Sequence, residues 1–135
     1  MHGLSSSSLT IAGGERQELI ARLDELNDAL GDAARALVAS QAMNRTFREN
    51  IANGEPLEDT MTAVSTSDAL ASVGRELKNL EEARHRSRTA VFAVALAEGI
   101  SIGKLGRLYG FSRQLAQRFA KEARDQRGKQ LVSCS

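Results

Sequence analysis

The run from Glu98 to Arg124, EGISIGKLGRLYGFSRQLAQRFAKEAR, holds the densest set of local structural signals in this chain. Gly99 is placed to end an apolar helix, since glycine enters the left-handed conformation without a Cβ penalty. Ser101 is placed to cap a short second helix, Gly110-Phe111-Ser112 to make a tight turn, and Ser112 to cap a third helix beginning Arg113-Gln114. At 3.6 residues per turn, Leu115 and Phe119 share one face with Ala116 and Ala123 beside them, while Arg113, Gln114, Gln117, Lys121 and Arg124 gather on the other. The shorter helix draws its apolar stripe from Ile102, Leu105 and Leu108 or Tyr109, which leaves Lys104 and Arg107 outward. Gly106 in its middle costs about 1 kcal/mol relative to alanine, so its presence there predicts close contact with the following helix.

These residues resemble the helix-turn-helix of the tri-helical DNA-binding units found in bacterial and phage regulators, resolvases and sigma-factor tails, where a Gly-apolar-Ser turn is often followed by a polar pair such as Arg-Gln. The likeness covers about a quarter of the chain. Two positions depart from the pattern: Gly106 stands where alanine is more usual, and Leu115-Ala116 reverses the common order of small and branched residue. The resemblance implies that Arg113, Gln114, Gln117 and Lys121 read base edges, with Ser101, Lys104, Arg107, Ser112, Arg118 and Arg124 at phosphates. The plainer reading is an αα-corner finishing a helical bundle, its cationic face merely solvated.

At 135 residues the chain makes one or at most two small domains, with room for a modest core but not for a large catalytic cavity. One Pro, no Trp, one Tyr and four Phe, with abundant Ala, Leu, Arg and Glu, point to an all-α protein. The formal net charge of +1 hides an asymmetry: residues 1–74 carry 5 Lys+Arg against 11 Asp+Glu, and residues 75–135 carry 13 against 6. The halves are therefore −6 and +7, which suits an acidic assembly region joined to a region facing nucleic acid. Cys134 is the sole cysteine, so no intramolecular disulfide forms, and the expected compartment is reducing cytoplasm. The longest apolar run, Ala90 to Ala97, is about half a membrane span. Residues 1–14 lack the basic start and apolar stretch of a secretory signal and read as a disordered lead-in.

Helical structure is expected from Glu15, after Gly13-Gly14. Leu19, Leu23, Leu26, Leu30, Ala33 and Leu37 then recur at steps of four and three, continuing through Ser40 and Asn44 to Phe47 and Ile51. That is coiled-coil spacing, and it predicts a dimer seam at Leu19, Leu23, Leu26, Leu30 and Leu37. Asn53-Gly54-Glu55-Pro56 stops this helix, with Gly54 as a left-handed cap. A short helix over Leu57 to Val64 follows, interrupted at Ser65-Thr66-Ser67-Asp68. A further helix from about Ser67 carries Leu70, Val73, Leu77 and Leu80. No Gly or Pro lies between Arg75 and Glu98, so this helix either runs unbroken to residue 98 or frays near His85 to Thr89. The expected organisation is a helical hairpin for oligomerisation at 15–83, a helix-turn-helix unit at 84–125, and a polar tail at 126–135.

Arg84 and Arg88 form an i, i+4 pair placed to clamp a phosphate, while Arg84 is equally placed to pair with Glu81 or with the acidic amino-terminal helix. His85 has no companions at metal-ligand spacing, and no cofactor is expected. There is no Gly-rich phosphate loop, no Gly-x-Ser-x-Gly and no His-Glu-x-x-His, so the chain is not expected to be an enzyme. The expected function is sequence-specific binding of double-stranded DNA by a homodimeric transcriptional regulator of a bacterium or phage. The alternative is an all-helical adaptor docking the transcription machinery without reading DNA itself.

Overall fold

The computed structural model describes residues 6–64 and 66–134, with side chains for 14–64, 67–126 and 128. The chain is all-α: α1 (Ser6–Ala52), α2 (Leu57–Val64), α3 (Thr66–Ala97), α4 (Ile102–Tyr109) and α5 (Arg113–Cys134), with no strand among the described residues. Among these residues no helix is long and apolar enough to cross a membrane.

Helix ends follow the glycines. Gly54, Gly99 and Gly110 all have positive φ, at 82°, 82° and 71°. At each, two backbone N–H groups turn back onto the final carbonyls: Gly54 to Ile51 and Glu55 to Asn50, Gly99 to Leu96 and Ile100 to Ala95, Gly110 to Arg107 and Phe111 to Gly106, at 2.8–3.2 Å. This pattern satisfies carbonyls that the end of a helix would leave without partners.

Two ends differ from expectation. Helix α1 is already helical at Ser6, so the lead-in of 1–14 is corrected from that residue on: Gly13-Gly14 weakens a helix by about 1 kcal/mol per glycine but does not forbid one. At the other end α5 continues to Cys134, so the polar tail of 126–135 is helical as far as that residue, past Gly128, beyond the end at 125 expected for the helix-turn-helix unit. Residues 1–5, 65 and 135, on which parts of these expectations fall, lie outside the described residues. Between the two alternatives for residues 67–98, α3 is one helix to Ala97. Its small polar residues do not break it, since Ser87 Oγ donates to the Arg84 carbonyl (2.9 Å) and Thr89 Oγ1 to that of His85 (3.0 Å).

The chain divides into two compact units, Leu26–Ala83 and Met1–Glu25 with Arg84–Ser135. The opening of α1, expected to belong with 15–83, groups instead with the carboxy-terminal region.

In the unit Leu26–Ala83 the covered side chains of α1 recur as Leu26, Ala29, Ala33, Ala36, Ser40, Met43, Phe47 and Asn50, with Ala33 fully buried; those of α3 recur as Ala69, Val73, Glu76, Leu80 and Ala83. Both series alternate steps of three and four, the spacing of a helix–helix seam. The five leucines expected at a dimer seam divide between covered and open positions. Leu26 is partly covered within the chain, as is Leu19 in the other unit, but Leu23, Leu30 and Leu37 are 46–49% exposed. Ala29, Ala33 and Ala36 make the closer-packing stripe, and the large leucines stand on its flank.

In the other unit the core is Phe92, Ala95, Leu105, Ala116, Phe119, Ala120 and Ala123, with Val91, Ile100, Ile102, Phe111 and Leu115 against it. Helices α4 and α5 cross at Gly106, where an added Cβ would come within 3.0 Å of Ala116 Cβ. The Leu115-Ala116 order therefore puts the small residue at the crossing, and Leu115 is half-buried on its flank. Gly106→Leu is expected to lower stability by about 1–3 kcal/mol through overpacking, read as a fall in the denaturant midpoint at unchanged slope. A midpoint equal to wild type would show that the crossing is loose.

Candidate nucleic-acid interface

Two serines set the helices that carry the candidate residues. Ser101 is extended (φ −71°, ψ 150°), and its hydroxyl accepts from the Lys104 backbone N–H at 3.1 Å. The Ser112 hydroxyl accepts from the Leu115 N–H at 3.2 Å. Both serines, expected at phosphates, are thus N-caps, which fixes where α4 and α5 start and which way their next side chains point.

On α5 the exposed residues are Arg113, Gln114, Gln117, Arg118, Lys121 and Arg124, while Ala116, Phe119, Ala120 and Ala123 are buried. On α4 Lys104 and Arg107 are exposed and Leu105 is buried. Leu108 is 70% exposed; Tyr109 takes the inner position instead and stacks on Phe111 with ring centroids 5.0 Å apart. A concavity of about 580 Å³ between the two helices is bordered by Ile102, Gly103, Arg107, Phe111, Arg113 and Gln117. It brings one α4 cation together with one cation and one amide of α5. Gln114, Arg118, Lys121 and Arg124 lie elsewhere on the exposed face of α5, and Lys104 on α4 is not among the bordering residues.

Three cations of this unit are held by carboxylates. Arg16 pairs with Glu98 (2.6 Å), Arg22 with Glu18 and Glu25 (2.8 and 3.1 Å), and Arg86 with Glu25 (3.4 Å). The hydrogen bond from Arg22 leads in holding the Glu25 carboxyl below its ordinary range. In contrast, Lys104, Arg107, Arg113, Arg118, Lys121 and Arg124 make no ion pair among the described residues. Of the basic cluster, Arg86 faces α1, and Arg88 lies over the Phe111 ring at 5.4 Å. His85 Nε2 sits 2.7 Å from Glu122 Oε1 on α5, and its ring is 5.2 Å from that of Phe119. No group of three or more His, Cys, Asp or Glu is arranged to hold a metal among the described residues.

Sequence reasoning missed the aromatic nest behind the turn. Phe92 stacks on Tyr109, Phe111 and Phe119 at 6.0, 6.3 and 5.3 Å, and Phe111 on Phe119 at 5.4 Å. The signal was available, because all the chain's aromatics except Phe47 fall between residues 92 and 119. Comparison with family models, with curated proteins and with solved structures finds no match to this chain.

Burial raises the Tyr109 phenol above its ordinary value near 10, with the Arg88 guanidinium opposing the shift. A raised phenol pKa means the neutral form is favoured by folding, so its stabilisation is present below pH 10 and is lost as pH climbs through the native midpoint. As the only tyrosine in a chain without tryptophan, it reports cleanly. Phenolate absorbance should titrate above pH 10 in native protein, return to the ordinary value in denaturant, and move higher still in Arg88→Gln; a native midpoint at the denatured value would refute the burial.

Proposed function

We propose that the α4–α5 surface binds double-stranded DNA, with α5 in the major groove, and that the chain is a non-catalytic, sequence-specific regulator acting as a homodimer. The observation that carries this reading is the set of six exposed cations on α4 and α5 without carboxylate partners among the described residues, beside a concavity that adds Gln117 to Arg107 and Arg113. Arg16, Arg22 and Arg86 of the same unit are met by carboxylates, which leaves the field that would draw in a phosphate backbone concentrated on α4 and α5. Two serine-capped helix starts at the same surface add N–H groups favourable to anions. On this reading the glycine-crossed pair α4–α5, preceded by the end of α3, is a helix-turn-helix, and the region 26–83 is an assembly hairpin.

Arg113, Gln114, Gln117 and Lys121 are the proposed base readers; Lys104, Arg107, Arg118 and Arg124 hold phosphates. The second reading, an adaptor that docks protein, is favoured by one observation: Leu108 protrudes beside an apolar cavity of about 390 Å³ bordered by Leu19, Val91, Val94, Leu105 and Tyr109.

Heparin or nonspecific duplex retention at low salt separates the two readings. The wild-type chain should be retained and elute late, and Lys104→Ala, Arg107→Ala and Arg124→Ala should each flatten the salt dependence by about one unit. After selection of a preferred site from random duplexes, Gln114→Ala and Gln117→Ala should each lose about 1–3 kcal/mol on that site and little on random DNA. Passage through heparin without retention would favour the adaptor, and equal losses on both DNAs would remove the glutamines as base readers.

A further inference from the structure

The unit Leu26–Ala83 has two unlike faces. The seam repeats of α1 and α3 place Leu30, Leu37, Asn44 and Ile51 on one flank of α1, and Leu70 and Leu77 on the equivalent flank of α3. Two cavities border both helices. Asn44 and Phe47 share one with Val64 and Leu70, and Ala36 and Ala39 share the other with Ser72 and Val73. Higher numbers on α1 thus meet lower numbers on α3, so the helices are antiparallel, and in an antiparallel pair equivalent flanks fall on the same side. The leucine flanks of both helices therefore make one face, with Leu30, Leu37, Ile51, Leu70 and Leu77 between 42% and 71% exposed. The opposite flanks carry Asp28, Asp32, Arg35, Asp68, Arg75 and Glu82.

We propose that this leucine face is covered by the same face of a second copy, forming an antiparallel four-helix interface across a two-fold axis. The five side chains leave roughly 450 Å² of apolar surface per copy, more than half of the ~800 Å² per partner in a standard stable interface. Charge favours self-pairing over a partner of one sign. The outer row of this face, Asn27, Ala34, Gln41 and Arg48 on α1 with Gly74 and Glu81 on α3, holds one cation near the α1–α2 turn and one anion near the far end. A two-fold axis lying in the interface plane, perpendicular to the helices, turns the two faces toward each other and sets the cationic end of each copy over the anionic end of the other.

This inference rests on the proposed regulator for its purpose, since it supplies the dimer that pairs two half-sites, but its test does not depend on DNA. The full chain should sediment as a dimer at tens of micromolar. Leu37→Glu and Leu77→Glu should each shift it at least tenfold toward monomer with helical circular dichroism retained. Val38→Glu, at a residue 63% exposed one position away and off the face, should leave the dimer intact. Wild-type monomer at that concentration, or Val38→Glu dissociating as readily as Leu37→Glu, would overturn it. If either glutamate variant unfolds, Leu37→Gln read by concentration-dependent sedimentation replaces it, with an unchanged dimer constant counting against the face. Heparin retention measured on the wild-type chain and on the same variants keeps the two ideas apart, because no retention of a dimeric wild type refutes DNA binding and leaves the interface standing.

Discussion

The approach of α4 to α5 at Gly106 and Ala116 governs the carboxy-terminal unit. Two helix backbones come this near only where one side offers no Cβ and the other a single methyl, since a Cβ added at Gly106 would lie 3.0 Å from that of Ala116. Everything on the exposed side inherits its position from that contact. With the crossing point fixed, the rotation of α5 is set by Ala116, Ala120 and Ala123 lying inward, and Arg113, Gln114, Gln117 and Lys121 then have no direction but out. The turn that permits the crossing is held twice, by Gly110 in the left-handed region and by Phe111 seated among Phe92, Tyr109 and Phe119. Arg88 over the Phe111 ring ties α3 to the same turn.

The sites legible in the sequence were those whose chemistry is local. Gly54, Gly99 and Gly110 end helices because only glycine takes positive φ without cost, and Ser101 and Ser112 cap because a hydroxyl there meets a waiting N–H. None of this needs knowledge of what lies across the fold. The inner and outer faces of α5 were legible for a related reason, since alternating alanines and cations leave a single sensible orientation.

What escaped depended on partners distant in sequence. Leu19 and Leu26 belong to two overlapping heptad patterns, one continuing through Leu23, Leu30 and Leu37 and the other through Ala29 and Ala36. Within the chain, packing distance sets the alanines against α3 and leaves Leu30 and Leu37 open on the flank, a division that only the presence of α3 reveals. Leu108 and Tyr109 posed the same problem on a smaller scale: the aromatic was taken inward by a nest of rings assembled from residues 92 to 119. The extent of α1 and α5 was underestimated for the opposite reason, because glycine and polar residues weaken helices without forbidding them.

The charge asymmetry along the sequence also changes meaning once the units are known. Divided by halves, the chain is acidic and then basic. Divided by fold, the unit of residues 1–25 and 84–135 holds 13 Lys+Arg and 7 Asp+Glu, and residues 26–83 hold 5 and 10. Net charges of +6 and −5 differ little from the halves, but the acidic opening of α1 now lies within the basic unit. There Glu18 and Glu25 meet Arg22 and Arg86, while Glu98 meets Arg16. Exposed pairs of this kind add little stability, on the order of 0–1 kcal/mol each. Their larger effect is on the field: with those guanidinium groups neutralised, the unit's excess positive charge resides mainly on α4 and α5. On the proposed reading, cations without ion pairs among the described residues, concentrated on α4 and α5 with neutral amides among them, would separate long-range attraction from short-range discrimination, the two tasks in recognising a particular stretch of a uniformly charged polymer.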